Sequence, residues 1–208
     1  TVEYVQKYRS SLLPNLAPVL PPAAATAAVV RKIGGDDAGM VYISPLIASK
    51  NEILTFSGNS RIDLAITFVE LRELFSEAGI HESDLEYSDF DEPLGYRGSL
   101  FPLANGIIQA AGINEELTTS RVITIEGERM IDGINEFDQH ISSIKNHFNP
   151  FYKEFLMGRG TSMGGKRYLR RSQLIKYVNK RISTLDKDAW DSAMERFGDT
   201  DLSRSFKV

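Results

Sequence analysis

The 208-residue chain has no cysteine, a single tryptophan and three histidines. Without cysteine it can form no disulfide, no thiolate zinc site, no cysteine nucleophile and no cysteine-ligated iron–sulfur cluster of its own. The histidines stand at 81, 140 and 147, so a metal held by this chain would need carboxylate ligands as well. No run of ~20 apolar residues is present, which excludes a spanning helix and leaves no membrane partner expected. The opening Thr1-Val2-Glu3-Tyr4 is unlike a signal peptide and lacks an initiator methionine. The expectation is a cytoplasmic piece of a longer protein.

What is present is ordinary. At 42% apolar and 25% charged, the composition is that of a soluble globular protein. Its length suits one domain, or two lobes sharing a core, and can bury about 70% of the extended surface. The 24 basic and 28 acidic residues give a net charge of −4, which argues against wholesale nucleic-acid binding.

Residues 1–13 read as a short helix with Val2, Val5, Tyr8 and Leu12 at helical spacing. Pro21 and Pro22 prepare the first turn of a second helix, Ala23 to Lys32, which Gly34-Gly35 ends. Met40 to Ser44 and Ile62 to Thr67 read as buried strands. Thr67 and Glu70 form a Thr-x-x-Glu capping box. It opens a helix with Phe68, Leu71, Leu74, Phe75 and Ala78 on its apolar face, stopped at Gly79. Strand, helix, strand, helix predicts an α/β fold with a small, mainly parallel sheet flanked by helices. Residues 81–106 are loop-rich and acidic, and a helix is expected from Ala104 to Ala111. A strand is expected over Arg121 to Glu126, and helices over Ile131 to Phe148 and Leu169 to Ile182.

Several motifs tempt and fail. Gly160-Thr161-Ser162-Met163-Gly164 matches the nucleophile elbow, but no histidine follows Ser162 to act as its base. Gly160 to Lys166 matches G-x-x-x-x-G-K, but Arg167 stands where Ser or Thr must hold magnesium. His140 and His147 lie two helical turns apart, a rise of ~10 Å that one ion cannot bridge. From Lys166 to Arg181 there are seven basic residues and no acid: Lys166, Arg167, Arg170, Arg171, Lys176, Lys180 and Arg181. That stretch reads as a solvated helix face or as a docking face for a partner domain. It is not expected to read nucleic acid.

A family resemblance emerges in collinear order. Tyr4-Val5-Gln6-Lys7-Tyr8 and Leu13-Pro14-Asn15-Leu16-Ala17-Pro18 are similar to the segment after the first cysteine motif of the catalytic domain of iron-only hydrogenases. Ser44-Pro45-Leu46-Ile47-Ala48-Ser49-Lys50-Asn51-Glu52 resembles that family's Pro-Cys-x-Ala-Lys-Lys-x-Glu motif. Asp63 to Glu77 resembles its strand–helix unit, and Phe90-Asp91-Glu92-Pro93, Gly98, Leu100-Phe101-Pro102 and Gly106 its next stretch. Phe155 to Gly164 resembles its Phe-Leu-Met-Cys-x-Gly-Cys-Ile-Met-Gly motif. The tail Asp201-Leu202-Ser203-Arg204-Ser205-Phe206 is similar to that of the family's sensory branch, in which iron–sulfur and PAS modules often follow.

The resemblance implies the later part of a hydrogenase-like two-lobed domain, here one domain over 1–208, with an iron–sulfur H-cluster in the active relatives. It also places the departures. The family's cysteines fall at Leu46, Gly158 and Thr161, with a fourth before Thr1, and the lysine that contacts a ligand of the diiron site falls at Ser49. The second lysine and the glutamate survive as Lys50 and Glu52. A vestigial cleft is expected where Pro45, Leu46, Lys50, Glu52, Gly106, Gly160, Met163 and Gly164 converge, with Leu46 buried against Met157 or Met163. Iron–sulfur units are held by soft thiolates; leucine offers no lone pair and glycine no side chain. The expectation is therefore a chain with no catalytic residue, no metal and no cofactor of its own, serving a redox, hydrogen-sensing or signal-transduction protein. Its partners would be adjacent iron–sulfur or PAS modules, or a second copy. Two alternatives stand beside it: a fragment of an active hydrogenase with ligands elsewhere, and a scaffold docking a partner through 166–181.

Overall fold

The computed structural model describes residues 2–35, 37–88, 90–101, 110, 125, 129–147 and 187–206. They belong to two compact units. One comprises Thr1–Pro18, Gly95–Trp190 and Ser205–Val208; the other comprises Val19–Leu94 and Asp191–Arg204.

In the first unit, helix α1 (Val2–Tyr8) gives way to a 3-10 segment over Ser10–Asn15. One continuous helix was expected. The break falls at Arg9, whose φ of −145° and ψ of 52° leave helical geometry, and Ser10-Ser11 follow, residues whose hydroxyls favour caps and turns over helix interiors. Val5, Leu12 and Leu13 pack with Ile134 of a long helix, Met130–His147, and Met130, Phe137, Ile141 and Phe206 close around them. Met130, Ile134, Phe137 and Ile141 recur at helical spacing, so that helix buries one stripe. A polar rim seals it: Tyr4 Oη and Arg9 Nε both donate to Asn135 Oδ1, at 3.2 and 3.0 Å, and Ser11 Oγ donates to Asp138. His140 is exposed on this helix.

The second unit is α/β, as the alternation predicts. Helix α2 (Pro22–Gly34) starts on its proline pair and ends at Gly35, whose φ of +82° suits glycine. Strand β1 (Val41–Ile43) pairs in parallel with β2 (Leu64–Ile66), with Tyr42 beside Ala65 and Ile43 beside Ile66. Ala24 and Ala27 of α2 pack with Ile53, Phe56, Ile62 and Ala65, and Tyr42 lies against that core. Alternation along a strand then sends Val41, Ile43 and Leu64 to the opposite face, where all three are exposed. The expectation of fully buried strands is therefore corrected: one face of the pair is covered and the other is open. A single turn, α3 (Ser49–Glu52), follows β1, and α4 (Phe68–Glu77) follows β2. Helix α4 has no fully buried side chain: of its apolar stripe, Leu71 is half-buried and Phe68, Leu74 and Phe75 are exposed. Late in the chain a helix over Lys187–Phe197 leads to a tail. There Val19 bridges to Ser203, and Leu20 N–H donates to the Leu202 carbonyl at 2.8 Å.

The elements expected at 104–111, 121–126 and 169–182 lie outside the described residues, but for Ala110 and Ile125. Among the described residues no helix is long and apolar enough to cross a membrane.

Candidate functional site

Because β1 and β2 run parallel and in register, the segments after both strands emerge at one end of the sheet. That carboxyl end is where open α/β sheets assemble their sites. Here it gathers 44–52 after β1 and Thr67 to Glu70 after β2.

Ser44 continues the ladder, its N–H donating to the Ile66 carbonyl at 2.9 Å. Its side chain turns inward and meets Ser49 Oγ at 2.7 Å, and Ser44 Oγ also accepts from Leu46 N–H at 3.2 Å. Both serines are only 1% exposed. Each buried hydroxyl therefore satisfies the other, and together they lock the turn that starts α3. Ser49 occupies the position where the resemblance puts a ligand-contacting lysine; its hydroxyl is consumed in this internal pair.

The surviving lysine has also been drawn into the fold. Lys50 Nζ donates to Glu70 Oε1, and the other oxygen of that carboxylate accepts from Thr67 N–H at 2.7 Å and Thr67 Oγ1 at 2.8 Å. Glu70 N–H donates to Thr67 Oγ1 at 3.3 Å, completing the capping box. Donation from Lys50 first, then from Thr67, holds the Glu70 carboxyl at about 2, far below its ordinary 4.5. One carboxylate thus ties the turn after β1 to the helix after β2.

Leu46 is 42% exposed, so its expected burial is corrected. The tight Ser44–Ser49 turn projects Pro45, Leu46 and Ile47 outward, and all three are exposed. Lys50 and Glu52 are half-buried in α3. Gly106, Gly158, Gly160, Thr161, Met163 and Gly164 lie outside the described residues, as do Met157 and the convergence expected of them with Pro45 and Leu46.

The opposite end of the sheet is held by a second set of polar contacts. Arg31 of α2 donates to the Ala38 and Arg61 carbonyls at 3.2 and 3.0 Å and to Asp63 Oδ2 at 3.2 Å. The same oxygen accepts from Met40 N–H at 2.9 Å, just before β1. That backbone bond, followed by Arg61 and Arg31, lowers the Asp63 pKa.

The donors at the carboxyl end do not suit a thiolate-held cluster. The sequence has no cysteine, and the aliphatic Leu46 stands at the one ligand position the described residues include. No group of three or more histidine, aspartate or glutamate residues is placed to hold a metal ion among the described residues.

The capping box was legible in sequence. The serine pair was not, because nothing in the spacing of Ser44 and Ser49 distinguishes a buried pair from two turn hydroxyls. Parallel register is what brings Lys50 to Glu70, twenty positions away.

No curated protein sequence matches the chain. The family model for the C-terminal domain of the iron-only hydrogenase large subunit matches residues 1–151, which include the 44–52 motif and the strand–helix unit at 63–77. The segment 155–164 and the tail lie beyond that match. With most of its length matched, the chain belongs to the family of C-terminal domains of iron-only hydrogenase large subunits.

Proposed function

We propose that this chain is a non-catalytic, cofactor-free member of its family, a module of a redox, hydrogen-sensing or signal-transduction protein. The observation that carries the reading is the fate of the 44–52 motif. Its ligand position is an aliphatic side chain, its first lysine position is a serine buried against Ser44, and its second lysine is paired with Glu70. Each of these polar groups has a structural partner. The family supplies its redox chemistry through the cluster, with the protein providing ligands, orientation and electrostatics. A fold can persist after such ligands are lost. Adjacent iron–sulfur or PAS modules would then supply the redox or sensing chemistry.

Anaerobic reconstitution of the purified chain with iron and sulfide tests this reading. The expected product is colourless after desalting and carries no stoichiometric iron. A bound cluster with a visible charge-transfer band overturns the reading and favours a fragment of an active enzyme with unconventional ligands.

A further inference from the structure

We infer that the exposed apolar and acidic residues of α4 and of the stretch that follows it to Glu92 form a docking surface for a second copy of this chain, which engages it through its basic sequence 166–182. Helix α4 presents Phe68, Val69, Leu74 and Phe75 to solvent, and the stretch beyond it exposes Tyr87 at 84% and Phe90 at 83%. Single exposed apolar residues are normal, but Phe68, Leu74 and Phe75 share one side of α4, and so many exposed apolar side chains in 25 consecutive residues exceed scattered surface residues. The same residues, 68–92, carry nine carboxylates against one arginine; Glu70 is paired with Lys50 and Glu92 with Arg196, which leaves seven carboxylates to set the charge of this stretch. A partner for this face must bring apolar side chains and positive charge together, and a polyanion is repelled by it.

The chain's own sequence contains such a partner. Residues 166–182 hold seven basic residues and no acid, with Leu174, Val178 and Ile182 at i, i+4 and i+8. Every copy carries one acidic face and one basic segment, so the contact is heterologous, head to tail. Steering between opposite charges raises the on-rate and fixes specificity, while the apolar contacts supply the adhesion. One segment of this length covers well under the ~1,600 Å² of a standard interface, so association is expected to be weak, in the micromolar range or above. The inference stands apart from the question of a cluster, because none of these residues belongs to the 44–52 motif.

Sedimentation velocity on the full chain, from micromolar to several hundred micromolar, tests it at low and high salt. The expected result is concentration-dependent growth at low salt that weakens as the Debye length falls below about 8 Å. Two variants separate the surfaces. Tyr87→Lys with Phe90→Lys changes only highly exposed side chains, and Arg170→Glu with Arg171→Glu reverses the basic segment. Each variant alone should remain monomeric. An equimolar mixture should form a dimer that grows no further, because the first keeps its basic segment and the second keeps its acidic face. A wild-type chain monomeric throughout, association surviving in either variant, or a mixture that stays monomeric overturns the proposal. So does selective DNA binding by monomeric wild type that is lost in the arginine variant.

Discussion

The two ends of the β1–β2 pair solve the same problem by different means. At the amino end, a buried arginine from α2 gathers two loop carbonyls, a carboxylate and, through it, the backbone before β1. At the carboxyl end, a half-exposed lysine, a carboxylate and a threonine are strung across the surface between α3 and α4. The Arg31 side chain is 4% exposed, whereas Lys50 and Glu70 stay accessible to water. Desolvation makes the first arrangement brittle: remove one partner and buried polar groups are stranded. The second tolerates loss, because water can replace each partner. The end of the sheet that usually carries function is therefore the end held least tightly.

The sharpest way to break this contrast is Arg31→Ala. It should cost about 3 kcal/mol, read as a lower urea midpoint with an unchanged slope, because the Ala38 and Arg61 carbonyls and Asp63 lose a buried donor. A loss no larger than that of a surface substitution would show that both ends are equally forgiving. At the carboxyl end, Thr67→Ala should cost about 1 kcal/mol by removing the helix cap, and Thr67→Ser should restore most of it.

Acid sharpens the comparison further. The folded Glu70 carboxyl ionises at about 2 in place of 4.5, so its contribution is complete above pH 4.5 and fades as pH falls toward 2. Glu70→Gln keeps an acceptor for Thr67 but removes the charge. Its urea midpoint should lie below wild type at neutral pH, and the two should converge as pH approaches 2. Asp63, lowered in the same direction, keeps both proteins acid-sensitive in that range. A constant gap between the two proteins across that range would assign Glu70 a purely neutral hydrogen-bonding role. The smallest effect is expected at Leu46→Ala, about 1 kcal/mol or less, since much of that side chain is already in water. A loss of several kcal/mol would mean that Leu46 fills a packed site after all.

The elements of the second unit were legible because local signals agreed: a proline pair and a glycine around α2, short apolar runs for both strands, a capping box for α4. Burial was not. Val41, Ile43, Leu64 and Phe68 have the chemistry of core residues, and sequence pattern cannot say whether a neighbour arrives to cover them. The 44–52 motif was legible as a family trace, and its missing ligands were read directly from Leu46 and Ser49. The new partnerships of Ser49 and Lys50 were not legible, since both depend on parallel register and a tight turn. The early helix stopped at Tyr8, because Arg9 leaves helical geometry and Ser10-Ser11 favour a turn, although the apolar spacing ran on to Leu12.

The tail has a consequence for the order in which this protein can be made. Leu202 accepts the hydrogen bond of Leu20, Ser203 bridges to Val19, Arg204 reaches Thr55, and Phe206 packs into the core around Val5. Each unit thus closes on residues translated about 180 positions after its earliest strands and helices. At ~5–20 residues per second, a ribosome needs roughly 10–40 s to deliver them. Throughout that interval the core around Val5 lacks Phe206, and Val19 and Leu20 lack their backbone partners, so these long-range pairings form last. Ribosome-bound chains stalled before Leu202 should therefore be cleaved by protease within segments that resist it in the released protein.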